Sequence, residues 1–159
     1  MPWTQTRFDG LDAMTFQQGR WRITAVYGMG PRIAFLGDEE NLLYWQKDGM
    51  SRGDWRLLGG HRVWLTRPMA DESEDTYFSD NDPCTVALDG DVLTLTAPAH
   101  SVHRLERGLT IEPLEEGRFR VTSFVTNTGG LIYSGGVWAP TCVVPDGREL
   151  RIPLGQEGV

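Results

Sequence analysis

Residues 84–97, CTVALDGDVLTLTA, decide the fold class of this chain. Apolar and polar side chains alternate on both sides of Asp89-Gly90-Asp91, and a period of two is typical of a half-buried β-strand. An Asp-Gly pair between two such runs favours the tight turn that joins antiparallel strands. The stretch therefore predicts a β-hairpin.

Strand patterns of the same kind recur on both sides of this hairpin. The predicted strands upstream are WRITAV (21–26), PRIAFLG (31–37), NLLYWQ (41–46) and LLGGHRVWLT (57–66). Downstream they are HRLERGLTIEPLE (103–115), paired around Glu116-Gly117 with RFRVTSFVTNTG (118–129), then GLIYSGGVWAPTCVV (130–144) and RELRIPL (148–154). We expect helical turns only near residues 4–12 and 71–75. Short strands separated by Gly-rich turns predict an all-β protein, an antiparallel β-sandwich.

Size and charge narrow the class of protein further. The chain has 159 residues, of which 40% are hydrophobic and 23% charged, and this is the composition of a globular domain. We therefore expect a single domain over residues 1–159. The net charge of −7 and the lack of a basic run argue against a nucleic-acid partner.

The N-terminus and the cysteines bear on the compartment. The opening segment, MPWTQTRFDGLD, contains no apolar stretch long enough for a signal peptide or a membrane span. Cys84 and Cys142 stand apart from any CxxC motif. We expect free thiols, a cytoplasmic location and no membrane partner.

Three segments resemble cofactor or metal motifs but lack essential parts. YGMGPRI (27–33) lacks the third glycine of a dinucleotide-binding motif and leads into a strand, so we predict a strand-connecting turn. His100 and His103 would point to opposite faces of a strand, and we interpret HSVHRLERG (100–108) as a solvated turn. DESEDTYFSDND (71–82) lacks the central glycine of a calcium loop, and 71–75 is interpreted as a solvated loop. We expect no metal and no cofactor.

The candidate binding residues begin with LLGGHRVWLTRP (57–68). In an extended chain Arg62, Trp64 and Thr66 share one face, while His61 lies on the other. Arg62 is suited to hydrogen-bond two adjacent hydroxyls while Trp64 covers a sugar ring. In the alternative interpretation, Arg62 passes a core tryptophan and pairs with nearby acids. We expect Arg62 and Trp64 to face a shallow pocket, with His61 packed at its edge.

Two further segments contain aromatic residues suited to sugar binding. TYFSDNDP (76–83) combines two aromatic residues with an Asp-Asn-Asp turn, which suits either a sugar site or a hairpin corner. Trp138 is one of six tryptophans and is a candidate stacking platform, alongside Trp64.

The ordered series GPRIAFLG, ENLLYW, LLGGHRVWLTRP, DTYFSDNDP and NTGGLIYSGGVWAPTCVVPDGRELRIPL resembles the N-terminal half of galactose mutarotase-like proteins. The likeness runs from Trp21 to Leu154, and GGHRVW is its most specific part. It implies a large antiparallel sandwich with sugar bound across one concave sheet. It also implies sugar contacts from Arg62 and His61, with Asp80 and Asn81 at the lip of the site.

The chain departs from that family in its catalytic residues. Family members use an acid histidine and a glutamate base, and the glutamate lies in the C-terminal half of a longer chain. Here the strand expected to carry the histidine reads SGGVWAPT (134–141), with no histidine. We therefore expect a carbohydrate-binding sandwich that lacks the usual acid/base pair.

Other interpretations of the function remain open. One is an aldose epimerase or other sugar-modifying enzyme, either with Glu72, Glu74 or Asp80 as a base opposite His61 or completed by a partner chain or a C-terminal half. Another is a non-catalytic interaction domain in which Arg62 only satisfies internal acids. Half a sandwich would leave sheet edges and an apolar face uncovered. The chain is then the N-terminal part of a longer mutarotase-like domain, a compact half or one partner of a dimer, and we expect a homo-oligomer.

Overall fold

The computed structural model describes residues 2–46, 48, 51–53, 55–66, 77, 79–101, 103–147, 149 and 151. Over these ranges the chain forms thirteen strands, which confirms the all-β prediction. The strands are β1 (Thr4–Phe8), β2 (Leu11–Gln18), β3 (Trp21–Val26), β4 (Arg32–Gly37), β5 (Ser51–Arg52), β6 (Trp55–Arg56), β7 (His61–Arg62), β8 (Trp64–Thr66), β9 (Thr85–Asp89), β10 (Val92–Thr96), β11 (Leu105–Pro113), β12 (Phe119–Asn127) and β13 (Gly136–Trp138).

Two larger sheets form the layers of an antiparallel β-sandwich. The first has the strand order β1-β2-β3-β4-β7, and the second has the order β12-β11-β10-β9. Two short pairs, β13 with β8 and β5 with β6, complete the sheets of the described residues. Every pairing is antiparallel.

The main hydrophobic core lies between the two larger sheets and draws buried side chains from both of them. Its members are Trp3, Met14, Phe16, Ile23, Ala25, Ile33, Leu43, Val63, Leu93, Leu95, Leu109 and Ile111. They alternate along β2, β3, β10 and β11 with side chains on the outer faces, as the period of two requires. Burial of this apolar surface is the dominant stabilising term of the sandwich.

Both hairpins predicted in the second half of the chain are confirmed. Asp89 pairs with Val92, which leaves Gly90 and Asp91 as the turn between β9 and β10. Gly90 has a φ of +58°, as a tight hairpin turn demands. β11 and β12 pair over their full nine residues.

The prediction of a helical turn over residues 4–12 is wrong. The segment forms β1, the start of β2 and the turn between them, with Phe8 paired to Leu11. Asp9 and Gly10 occupy the turn with φ values of +49° and +80°. A two-residue Asp-Gly turn between extended segments is a strong hairpin signal, so the sequence did carry the information.

The remaining strand predictions have mixed outcomes. Residues 41–46 form isolated bridges rather than a strand, with Leu43 paired to Val143 and Trp45 paired to Gly59. The turn predicted at 27–33 is confirmed, because it joins β3 to β4. The predicted loop 71–75 and most of the predicted strand 148–154 lie outside the described residues.

The Gly59-Gly60 pair lets the chain enter β7 in close contact with two neighbouring backbones. Both glycines have positive φ, +91° and +73°. A Cβ on Gly59 would lie 2.3 Å from the carbonyl oxygen of Tyr44, and one on Gly60 would lie 2.3 Å from that of Ile33. Side chains are therefore excluded at both positions, and the two glycines set where His61 and Arg62 begin to pair.

We predict that Gly60→Ala lowers the free energy of unfolding by more than about 3 kcal/mol, since left-handed strain of roughly 1–2 kcal/mol adds to a backbone clash. Gly10→Ala is the matched control, because Gly10 has a φ of +80° but a Cβ added there would meet nothing within 4 Å. Gly10→Ala should lower the free energy of unfolding only by the left-handed strain. Urea unfolding of both variants measures the difference, and equal losses would contradict the clash.

Candidate functional site

Strand alternation sends His61 and Arg62 to opposite faces of the first sheet. His61 pairs with Ile33, a member of the core between the sheets, whereas Arg62 pairs with Arg32. Residues directly opposite each other in an antiparallel pair share a face. His61 therefore faces the interior between the sheets, and Arg62 lies beside Arg32 on the other side.

Asp80 is the buried centre of the cluster on the Arg32 side. Its side chain is only 2% exposed. Arg32 Nη2 donates to Asp80 Oδ2 at 2.8 Å and to the Asp80 carbonyl oxygen at 2.9 Å. Trp55 Nε1 donates to Oδ2 at 3.1 Å, and Trp64 Nε1 donates to Oδ1 at 2.8 Å.

The expectation that Asp80 lies at the lip of a site is therefore wrong. The side chain of Arg32 is fully buried, and a buried guanidinium requires a hydrogen-bonded counter-charge. Asp80 supplies that charge, and both of its oxygens accept hydrogen bonds from inside the protein. Its role is to position Arg32 and the two indoles.

The turn that carries Asp80 is held against the Gly-rich turn between β3 and β4. Gly30 N donates to the Asp82 carbonyl at 2.9 Å, and Cys84 N donates to the Tyr27 carbonyl at 2.8 Å. Gly30 has a φ of +69°, and a Cβ there would lie 2.2 Å from the Asp80 carbonyl oxygen. Residues 27–33, which resemble a nucleotide-binding motif, therefore hold the turn that carries Asp80 in place.

Arg62 is buried, and part of its hydrogen-bonding capacity is unused. The residue is 3% exposed, and its guanidinium carbon lies 4.2 Å from the centre of the Trp64 ring. Within the described ranges, Nε and Nη1 have no hydrogen-bond partner. Burial, and after it the neighbouring Arg32 guanidinium, lower the pKa of Arg62 below its ordinary value.

The contacts of Arg62 bear on two interpretations of its role. A shallow pocket in front of Arg62 and Trp64 stays a prediction: both residues are buried, at 3% and 5% exposed, but part of the Arg62 guanidinium has no hydrogen-bond partner among the described residues. In the alternative interpretation Arg62 pairs with nearby acids. Asp80 pairs with Arg32 instead, and the acids of residues 71–75 lie outside the described residues. The two residues do share a face, as the alternation predicts.

An aromatic cluster surrounds Trp64 and reaches the surface at Trp138. The Trp64 ring centre lies 4.9 Å from that of Trp138 and 4.7 Å from that of Tyr77, both in edge-to-face contact. Trp138 on β13 pairs directly with Trp64 on β8 and is 40% exposed. The cluster therefore connects the buried Arg62 guanidinium to an indole that water reaches.

Asn81 uses its amide to hold the short β5–β6 hairpin. Its Oδ1 accepts a hydrogen bond from the backbone nitrogen of Arg56, and its Nδ2 donates to the Arg56 carbonyl at 3.2 Å. This two-point contact resembles one rung of a β-ladder. Asn81 thus anchors β6, which carries Trp55, to the Asp80 turn.

His61 lines a cleft between the two larger sheets, away from the Arg62 cluster. The cleft has a volume of about 230 Å³ and is also lined by Ile33, Phe119 and Val121. His61 Nδ1 lies 2.8 Å from Thr141 Oγ1, and Nε2 is buried without a partner among the described residues. Burial lowers the pKa of His61 below its ordinary value of 6.5, which favours the neutral ring at pH 7.

An acid–base pair made of His61 and Asp80 does not fit this geometry. The two side chains belong to opposite faces of the sheet, and the Asp80 oxygens are occupied by Arg32 and two indoles. Glu72 and Glu74, the other bases considered, lie outside the described residues.

The interpretation of residues 100–108 as a solvated turn is wrong for His100, which is 8% exposed. Its ring stacks on that of His103 with centres 4.9 Å apart, and its Nδ1 accepts a hydrogen bond from His103 N at 3.0 Å. The residues that follow do form a turn, in which Ser101 and Arg104 are exposed, and β11 begins at Leu105. Across the described ranges, no three His, Cys, Asp or Glu side chains lie close enough together to hold a metal ion.

Two arginines are more important to the structure than the sequence patterns indicated. Arg32 and Arg107 are 0% and 3% exposed, and burial lowers the pKa of Arg107 to about 10. A charged residue within an otherwise apolar strand was the available signal for Arg32. For Arg107 the only signal in the sequence was the alternation of apolar and polar residues along β11, and that pattern is equally compatible with a solvent-facing arginine.

Cys84 and Cys142 are not joined in a disulfide. Burial raises the pKa of Cys84 to about 12, so its thiol is a poor nucleophile at neutral pH. No helix in the described part of the chain is long and apolar enough to cross a membrane.

Comparisons with known proteins return no relative: no family model, curated protein or solved structure matches this chain. Its function is therefore inferred from the geometry of the site.

We predict that Asp80→Asn lowers the free energy of unfolding by about 3–5 kcal/mol, because it removes the counter-charge of a buried arginine. The amide would also place an N–H group beside donors from Arg32 and the indoles. Asp89→Asn, at the exposed end of β9, is the matched control and should change stability by less than about 0.5 kcal/mol. Chemical unfolding followed by circular dichroism decides, and similar small effects in both variants would contradict the role of Asp80.

Proposed function

We propose that this protein binds carbohydrate as a mutarotase-like β-sandwich that lacks the usual acid/base pair. The observation that carries the proposal is the state of Arg62. Its Nε and Nη1 are buried and have no partner in the described part of the structure, although unpaired buried donors are costly. Arg32 Nε and Nη1 also lack a partner there, but Arg32 forms an ion pair with Asp80, whereas Arg62 forms none among the described residues. Ligand oxygen atoms, such as adjacent sugar hydroxyls, would satisfy them.

Trp138 supplies the second element of the proposed site. Its partly exposed indole contacts Trp64, and the Arg62 guanidinium lies over the Trp64 ring. Sugars present flat apolar faces flanked by hydroxyls, so an indole beside an arginine matches both parts of their surface. In this proposal Trp138 stacks on the sugar and Arg62 hydrogen-bonds its hydroxyls.

The remaining candidate residues take supporting roles in the proposal. Asp80 orients Trp64 through its indole N–H, and Asn81 anchors the strand that carries Trp55. His61 faces the other side of the sheet and is left out of the sugar site. Binding without catalysis is favoured over epimerisation because His61 faces away from Asp80 and the Asp80 oxygens already accept hydrogen bonds from Arg32 and two indoles.

We also propose a cytoplasmic location. Two cysteines that are not paired with each other suit a reducing compartment, since disulfides are uncommon there.

The test is saturation-transfer NMR of the protein against glucose, galactose, mannose, xylose and N-acetylglucosamine. We expect signal from at least one sugar, lost in Arg62→Ala and in Trp138→Ala. Trp138→Ala is the more robust variant, because the residue is 40% exposed and its removal leaves the buried ion pair intact.

Matched controls separate loss of the site from loss of the fold. Tyr44→Ala removes another aromatic residue that is 40% exposed, and Arg120→Ala removes an exposed arginine of β12. Both should keep the signal. Silence across the panel, or a signal unchanged in Trp138→Ala, would overturn the proposal. Accelerated anomer exchange by the wild-type protein would instead favour the epimerase.

A second candidate function, an interaction domain that self-associates, is favoured by the apolar side chains exposed along residues 131–143. Leu131 is 70% exposed and Ile132 is fully exposed, while Val137 and Val143 are 44% and 43% exposed. Apolar surface of this kind marks contact sites when it is contiguous. In this proposal a second copy of the chain covers the segment.

If the segment forms a dimer contact, Ile132→Asp should convert a dimer to a monomer, because it places a charge in an apolar interface. Sedimentation velocity measures the change in mass, and Val86→Asp on the edge strand β9 is the control. A monomeric wild-type protein, or a dimer that survives Ile132→Asp, would eliminate this candidate.

A further inference from the structure

We infer that the cleft beside His61 is a second binding site, one that takes a small neutral ring compound carrying a single hydroxyl group. This second site is independent of the carbohydrate proposal, because the cleft lies between the sheets and the Arg62 cluster lies on the opposite face of the first sheet.

The walls of the cleft select an apolar ligand. Its floor is formed by Ile23 and Ile33, which are 0% and 3% exposed, and one side is formed by Phe119 and Val121 of β12. Leu42, which is 36% exposed, lies where the cleft opens to water. An unfilled apolar space between two sheets forgoes packing contacts, and an apolar ligand would restore them.

The polar groups of the cleft are concentrated in one place. Apart from Gly117 and Trp21, whose indole carries one N–H group, the described lining residues are apolar except for His61 and Thr141. These two are already joined, with His61 Nδ1 2.8 Å from Thr141 Oγ1. A threonine hydroxyl has one donor and two acceptor positions, so capacity remains after this bond forms.

The chemistry of this pair favours a hydroxyl over a charged group. Either ring tautomer is compatible with the bond to Thr141, so the pair can offer a donor or an acceptor. A ligand hydroxyl can match both. With the imidazole neutral at pH 7 because burial lowers its pKa, the cleft has no charge to hold a carboxylate or an ammonium ion.

The volume sets the size of the ligand. An apolar cavity of about 150 Å³ accommodates benzene in another protein, and this cleft measures about 230 Å³. It therefore suits one ring with a short substituent, such as an alkylphenol. A hexose is as small but is polar on every edge, and its hydroxyls would lack partners against Ile23 and Phe119.

The experiment compares two probes that differ by one hydroxyl, 4-methylphenol and toluene, titrated into the wild-type protein and followed by backbone amide NMR shifts. We expect 4-methylphenol to bind about tenfold more tightly, the effect of one buried hydrogen bond. The largest shifts should fall on Ile33, Phe119 and Val121. Thr141→Val and His61→Phe, which keep the approximate shape of each side chain, should reduce the preference to about twofold or less.

A filled cleft provides the steric control. Val121→Phe should abolish binding of both probes. Thermal unfolding shows whether this variant is folded. If it is not, the loss of the preference for 4-methylphenol in Thr141→Val tests the inference alone. Trp138→Ala should leave the binding of 4-methylphenol unchanged. The inference is overturned by equal affinity for the two probes, by a preference that survives Thr141→Val, or by shifts located outside the cleft.

Discussion

The buried ion pair between Arg32 and Asp80 is the interaction on which the rest of the structure depends. The Arg32 guanidinium is shielded from water, and a charge in that position needs a hydrogen-bonded counter-charge. Asp80 follows Arg32 by 48 residues in the sequence, and its carboxylate also accepts hydrogen bonds from the indoles of Trp55 and Trp64. One carboxylate therefore ties the first sheet, β6 and β8 together, and through β8 it places Trp138 at the surface.

The two-residue period of β7 then creates two chemically different surfaces from adjacent residues. His61 faces an apolar cleft, and Arg62 faces a cluster of aromatic rings and charges. A register shift of one residue would put the guanidinium between the sheets and the imidazole beside Arg32. Gly59 and Gly60 favour the observed register, because they permit the close approach of the Tyr44 and Ile33 carbonyl oxygens that accompanies it.

The fold was more predictable from the sequence than the site, and the reason is the range of the interactions involved. Local turn chemistry, such as Asp89-Gly90, predicted a hairpin correctly, and Asp9-Gly10 carried the same signal although a helical turn was predicted there. The burial of Asp80 was not predictable from its neighbours. An Asp-Asn-Asp turn is ordinarily exposed, and only a distant buried arginine makes burial favourable.

The same ion pair explains why Arg62 is the strongest candidate for contact with a ligand. The buried charged residues of the described structure are three arginines and one aspartate, and that aspartate is committed to Arg32. Arg62 on β7 lies directly opposite Arg32 on β4, and like charges in opposite positions of two strands repel. Stacking on Trp64 offsets part of this cost. In the proposed carbohydrate site, oxygen atoms of a ligand would relieve more of it, because they would accept hydrogen bonds from the unpaired Nε and Nη1 groups.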